Sequence, residues 1–440
     1  MGGSLQKFFW SFVATFVPPL ASLATAPLLA RGLGVVGRGE VAASTAPWMF
    51  ATAVGAFGLP EAVTYFAARH PHAARRIHQH GLLLVAVTAV AAAAAVHVLA
   101  GPLSSGNERL ESLIQISAWA CVPLLLLRVP QAVLTGYQLW RVLATGQLVV
   151  SVVRLASVVL LFATDTLTPL TATLSVVLTP LVALLLYIPK SRAVLRDADG
   201  TRTEASVQPE WRDVAGYGLR VWLGALSGIV LTRMSQVLMV PLSDEVHAGI
   251  FAIAVTIGEL PLLVSSAVRD VIFAADAADL DSSNLEQVAR ITTFVTFLAG
   301  AGIGLTLPFV VPWAFGTEFT PSVVVAYLVI AATVLGSTGS VAGAGLGARG
   351  RPGLRSWSMM WGALANLTVL IVMVPWVGAA GGGWAMLAGN TIAGSLNVVW
   401  LHRRFGYDWR QFYGLRRRDV VAMRSAGRKI TKRSTKQEAT

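Results

Sequence analysis

Five charged side chains stand within or at the edges of long apolar runs of this 440-residue chain, and their chemistry needs explaining first. Arg154 is the deepest. It lies 13 residues beyond Arg141, roughly 20 Å along a helix at about 1.5 Å per residue, which is too far for easy snorkelling to water. Arg233 and Arg31 stand nearer the ends of their runs. A guanidinium is planar, permanently charged and built to grip phosphate oxygens with paired donors. Arginines in an apolar setting therefore point to anion recognition; the plainer readings are a structural pair for Arg154 and an interfacial anchor for Arg31. Glu259, in Gly258-Glu259-Leu260-Pro261, is placed either to carry a coupling proton or to pair with Arg233. Glu61, beside Pro60, reads as a gating acid or a salt-bridge partner between helices.

The elements that carry these residues follow from composition. Hydrophobic residues make up 55% of the chain and charged residues only 13%, against roughly 25% charged in soluble domains. Apolar windows of membrane-spanning length recur twelve times, at 8–30, 41–67, 81–100, 111–127, 142–163, 168–189, 214–241, 246–268, 291–313, 321–346, 353–374 and 379–401. Each is long enough to cross the hydrocarbon as a helix, and strand-like alternation is absent, which argues against a barrel. The expected fold is an all-α integral membrane protein of about twelve transmembrane helices. The apolar run before Ala24-Thr25-Ala26 imitates a secretory signal, but Pro27 disfavours cleavage there and the run continues to Leu29. It reads as an uncleaved first helix.

Basic residues orient the chain. With both ends cytoplasmic, 29 of the 34 Lys and Arg residues fall inside, only Arg31, Arg38 and Arg109 fall outside, and Arg154 and Arg233 remain within helices. That asymmetry is the positive-inside pattern, and an odd helix count would destroy it. The net charge of +12 comes mostly from the inner loops and the tail. A basic tail after a last helix suits anionic lipid better than nucleic acid.

A polar segment divides the chain into an N-terminal six-helix bundle (1–190), a cytoplasmic linker (191–212), a C-terminal six-helix bundle (213–402) and a basic tail (403–440). The halves are weakly similar. Gly39-Glu40-Val41-Ala42 and Gly249-Ile250-Phe251-Ala252 are separated by a constant 210 residues, and the Gly136 and Gly345 regions by 209. Both halves start on the same side, so the repeat implies a pseudo-two-fold axis along the membrane normal, an architecture used by transporters.

Other features read plainly. Cys121 has no partner for a disulfide or metal site. His70, His72, His78 and His80 read as a solvated loop. Pro18-Pro19 in the first helix and Gly216, Gly218, Gly224 and Gly228 in the seventh lead to the expectation that these two helices bend during transport, ordinary packing through small residues being the alternative. No glycine-rich nucleotide loop is present, so neither a cofactor nor direct ATP drive is expected.

Several motifs together resemble one family. Ala30-Arg31-Gly32-Leu33-Gly34 with Gly37-Arg38-Gly39, then Gly58-Leu59-Pro60, Thr135-Gly136-Tyr137-Gln138, His247-Ala248-Gly249-Ile250-Phe251-Ala252, Gly347 to Pro352 with Asn366, and Gly378-Ala379-Ala380-Gly381 occur in order. Together they are similar to the multidrug/oligosaccharidyl-lipid/polysaccharide exporter superfamily, above all its polysaccharide-repeat flippases. The chain departs from many relatives at Arg233-Met234-Ser235, where an acid is usual, and it lacks the two further helices of lipid II flippases.

The resemblance implies a non-enzymatic flippase of the cytoplasmic membrane. It would move an undecaprenyl-diphosphate-linked oligosaccharide from inner to outer leaflet by alternating access, for envelope polysaccharide synthesis. Arg154, Arg233 and Arg31 would be the cavity cations and Glu259 and Glu61 the gating or coupling acids. Expected partners are the lipid-linked substrate and membrane lipids, with a coupling proton or sodium ion and a polysaccharide polymerase as further candidates, and no nucleic acid. The alternative within the same fold is a cation-coupled multidrug exporter. A membrane glycosyltransferase would need a large outer catalytic loop, and the outer loops here are only about ten residues long.

Overall fold

The computed structural model describes residues 2–199, 209–263, 266, 284–416 and 418–419. The centre of the expected linker (200–208), Arg269 and the tail from 420 onward lie outside the described residues. Among the described residues the chain is all helix and connection, with no strand.

Among the described residues ten stretches are long and apolar enough to cross a membrane, and the protein is a multi-pass, mostly helical integral membrane protein. The first stretch belongs to α1 (Gly2–Gly55), which is two helices joined at a kink at Gly34, where φ is 66°. A side chain is strained at that angle and glycine is not. The remaining helices of the first half are α2 (Leu59–Arg69), α3 (Ala74–Ser104), α4 (Glu108–Trp119), α5 (Cys121–Gly136), α6 (Trp140–Ala163), α7 (Pro169–Leu178) and α8 (Leu184–Asp199). The second half holds α9 (Trp211–Val237), the single turn α10 (Met239–Leu242), α11 (Glu245–Gly258), α12 (Asn284–Phe315), α13 (Ser322–Ala348), α14 (Pro352–Val377) and α15 (Ala379–Phe405).

Several expected spans prove to be broken, and proline explains where. The break between α1 and α2 falls just before Pro60, that between α4 and α5 just before Pro123, the 3-10 turn between α7 and α8 begins just before Pro180, and α11 ends in a turn at Glu259 just before Pro261. Proline fits the first turn of a helix and pushes the preceding residue out of helical geometry. Pro18, Pro19, Pro27 and Pro47, by contrast, are carried inside α1 without a break. In this conformation the backbone leaves helical geometry at Gly34 and at Leu238.

Part of the expected linker 191–212 is helical: α8 continues to Asp199, and α9 starts at Trp211 with Glu210 and Asp213 forming a reciprocal cap. His78 and His80 belong to the first turns of α3 rather than to a loop. Among the described residues no cluster of three His, Cys, Asp or Glu could hold a metal.

One apolar core runs through both halves, from Ala26 in α1 to Met386 in α15. Within it α1 packs on α6 and on α11, so the first helix pair is the element that joins the halves.

Candidate functional site

Arg154 keeps the depth its position implies. It is partly buried on α6, and its Nε is enclosed without a hydrogen-bond partner among the described residues. The structure adds a second cation that the sequence places in an outer loop. There is no such loop: the chain turns at Gly34 and resumes helix at once, so Arg38 sits in the first turns of the second limb of α1. Its Nε is also enclosed and unpartnered, and it lies close enough to Arg154 for the two charges to repel. An enclosed donor without a partner is costly, and so is a like charge nearby.

In the second half, Arg233 on α9 and Glu259 at the end of α11 face each other within electrostatic range, both partly buried, without a contact of ion-pair length. The turn at Glu259 is fixed by its own backbone: its amide donates to the Val255 carbonyl and its carbonyl accepts from Leu262.

Arg31 is elsewhere. Its exposed guanidinium donates to the carbonyls of Ala314, at 3.0 Å, and of Trp313. These are orphan carbonyls at the C-terminal end of α12, where a cation also complements the helix dipole. Arg31 ties the first half to the second and does not join Arg154.

The tie belongs to a seam at the Gly34 end of the molecule. Glu40, 7% exposed at its side chain, faces Arg109 at 3.7 Å. Across the seam Asn107 donates to Glu245 at 2.9 Å, and Ser105 donates to the Val240 carbonyl at 3.3 Å. At the crossing itself two backbones touch. A Cβ on Gly39 would stand 1.8 Å from the Glu245 carbonyl oxygen, and one on Gly249 would stand 2.3 Å from the Val35 carbonyl oxygen. Only glycine permits that approach.

A second seam lies at the opposite end of the first helix pair. Phe57 stacks on Trp222 at 4.6 Å and Tyr65 on Tyr217 at 4.5 Å. Trp222 also donates its indole N–H to the Val54 carbonyl, and Gly58 and Gly218 meet backbone to backbone. Glu61 stands one turn from Tyr65 in α2, exposed, with no ion pair or side-chain hydrogen bond among the described residues. Sequence reasoning missed Arg38, Glu40 and both seams; the constant spacing of Gly39 and Gly249 was the available signal for the first.

This arrangement, charged groups within each half and seams at both ends, can be set against known proteins. The family described as Polysaccharide biosynthesis protein matches residues 4–273, more than half of the chain. The chain belongs to the polysaccharide biosynthesis protein family. No curated protein matches the sequence.

Among solved structures, this member of the polysaccharide biosynthesis family is similar to an inward-facing multidrug resistance MATE family transporter of the MOP superfamily. The identity is 14%, the coverage 91% of this chain and 94% of that one, and the TM-score 0.61. It is similar also to the MATE multidrug transporter DinF-BH, solved as a complex, at 16% identity, 92% and 95% coverage and a TM-score of 0.56. A third is a MOP superfamily transporter from Pyrococcus furiosus, for which reverse polarity of the binding pocket is taken to suggest a different function. There the identity is 16%, the coverage 90% and 94%, and the TM-score 0.58. At such identities the likeness is one of fold. The fold is the one these transporters share.

Proposed function

We propose that the protein exports an amphiphile with an anionic head, of the class of undecaprenyl-diphosphate-linked oligosaccharides, from the inner to the outer leaflet of the cytoplasmic membrane for envelope polysaccharide synthesis. The observation that carries this reading is the unpaired Arg38–Arg154 couple. A diphosphate crossing about 30 Å of hydrocarbon needs cations to replace its water, and two neighbouring guanidiniums supply them. Arg233, with Glu259 beside it, is the second cation of the path; Arg31 acts at the seam. Glu259 is the coupling acid, for a proton or sodium ion, and Glu61 gates the opposite end. A polysaccharide polymerase would take the product.

Division of α1 at Gly34 and addition of α15 to the ten stretches supports twelve spans, in bundles 1–190 and 213–402 joined by the linker 191–212 and followed by the tail 403–440. The seam supports a pseudo-two-fold axis, because Gly39 meets Glu245 while Gly249 meets Val35, and each residue stands 210 places from its counterpart. On this reading both termini are cytoplasmic and the Gly39 seam closes the outer face.

A second reading is a cation-coupled multidrug exporter of the same fold. The solved structures described above back it better, two of them being multidrug transporters, and an enclosed Glu259 suits a cationic cargo. Deletion of the gene separates the two. Accumulation of lipid-linked oligosaccharide in the inner leaflet, cleared by the wild-type protein but not by Arg154→Ala or Arg38→Ala, supports the first. Normal polysaccharide export with altered tolerance of cationic drugs would sink it.

A further inference from the structure

The described residues beyond α15, 406–416 and 418–419, fold back over the ends of α12, α13 and α15 as a strap. Phe412 is buried in a small core with Val288, Ala342 and Leu401. Arg349 donates to the Tyr407 hydroxyl and lies 4.9 Å from the centre of its ring. The closing clamp is bidentate: Arg290 on α12 donates through Nε and Nη2 to the two carboxylate oxygens of Asp419 at 2.7 and 2.8 Å. Asp419 is wholly buried and accepts a further bond from the Arg416 amide.

The clamp neutralises Arg290, and the charge of Arg416 acts on the same carboxylate. Arg410, Arg416 and Arg418 are exposed and form no ion pair among the described residues. Next to Arg416 in the chain lies a groove of about 210 Å³ lined by Arg290, Phe294 and Phe297 of α12, Val334 of α13, and Phe412 and Leu415 of the strap. Phe297 is 54% exposed, facing outward from a membrane-spanning stretch. A larger apolar groove, about 510 Å³ between α14 and α15, has no charged residue in its lining and so no means of choosing a headgroup.

We infer that the strap groove is a binding site for one anionic phospholipid of the adjacent leaflet, with an acyl chain against Phe294, Phe297 and Val334 and its phosphate at Arg416 and Arg418. The apolar wall ends at Leu415, and Arg416 and Arg418 follow it in the chain, an order that matches acyl chain and phosphate in a lipid. Guanidinium recognises phosphate with paired donors, and basic residues at a membrane surface favour anionic over zwitterionic lipid. The site is independent of the transported cargo and stands or falls separately from it.

The test is native mass spectrometry of the full chain in neutral detergent with equal phosphatidylglycerol and phosphatidylcholine. Selective retention of phosphatidylglycerol is expected, reduced several-fold both by Arg416→Gln with Arg418→Gln and by Val334→Phe, which fills the groove. Leu415→Glu, at an exposed edge, repeats the second arm should Val334→Phe fold poorly. Equal retention of the two lipids, or retention unchanged in these variants, overturns the inference. Loss in the arginine variant alone overturns the groove as the chain site.

Discussion

At the residue scale the protein holds charge where charge is expensive. An enclosed, unpartnered guanidinium costs folding energy that its removal returns, so Arg154→Gln and Arg38→Gln should each raise stability, by about 1–3 kcal/mol, while abolishing export. Thermal melting beside an export assay checks both, and a variant that loses stability together with activity would make the couple structural. Arg154 was legible because nothing but depth in an apolar run was needed to single it out. Arg38 was not, because hydropathy reads the polar sequence around Gly34 as a loop, whereas a single glycine at φ 66° makes the turn and puts Arg38 back into helix. Asp419 was equally hidden. Its sequence neighbours are exposed arginines, and only the fold delivers it to Arg290.

That clamp has a defined pH behaviour. Burial pushes the Asp419 carboxyl up, but the hydrogen bonds from Arg290 and from the Arg416 amide, and the charges of both arginines, outweigh it and hold the group below its ordinary value of 3.8. A carboxyl depressed by folding contributes stability in full above its unfolded value and loses it as pH falls through the lower folded value. Strap docking should therefore be constant from pH 5 to 8 and released only below about pH 3.8. Asp419→Ala, which leaves Arg290 buried and unpaired, should weaken it at every pH, by about 3–5 kcal/mol. Limited proteolysis between Phe405 and Asp419 follows both effects.

At the scale of elements, spans are easier to read than their interruptions. Apolar length alone gives the spanning stretches. The breaks before Pro60, Pro123, Pro180 and Pro261 needed the further knowledge of which prolines begin a turn and which, like Pro18, ride within a helix. The seam glycines make a sharper test. A methyl group on Gly39 would stand 1.8 Å from the Glu245 carbonyl, so Gly39→Ala should hold the seam apart. Cys121 is the chain's single cysteine and is buried, so a cysteine at Val35, itself 9% exposed, reports alone. Val35→Cys should resist a membrane-impermeant maleimide added outside and become reactive once Gly39→Ala is added. Arg31→Ala, which releases the end of α12, should have the same effect to a smaller degree; resistance in all three proteins would show that the seam does not open.

At the scale of the whole molecule, the direction of charge movement separates the two readings of function. Outward movement of an anion is favoured by an inside-negative potential, by about 2.3 kcal/mol per charge per 100 mV; outward movement of a cation is opposed by the same amount. Collapse of the potential in intact cells at constant pH gradient should therefore slow export of an anionic lipid-linked oligosaccharide. Export that quickens instead would identify a cationic cargo.

The Gly39–Gly249 crossing says something about history. Residue 39 touches 245 and residue 249 touches 35, so each partner offers the other the same surface. Self-complementary faces of this kind are what join two identical subunits in a symmetric dimer. An ancestor of half this length, closed on a second copy of itself through one glycine, would have possessed the seam already. On the proposed two-fold reading, fusion of the two copies would have left them free to diverge, with glycine kept at both 39 and 249.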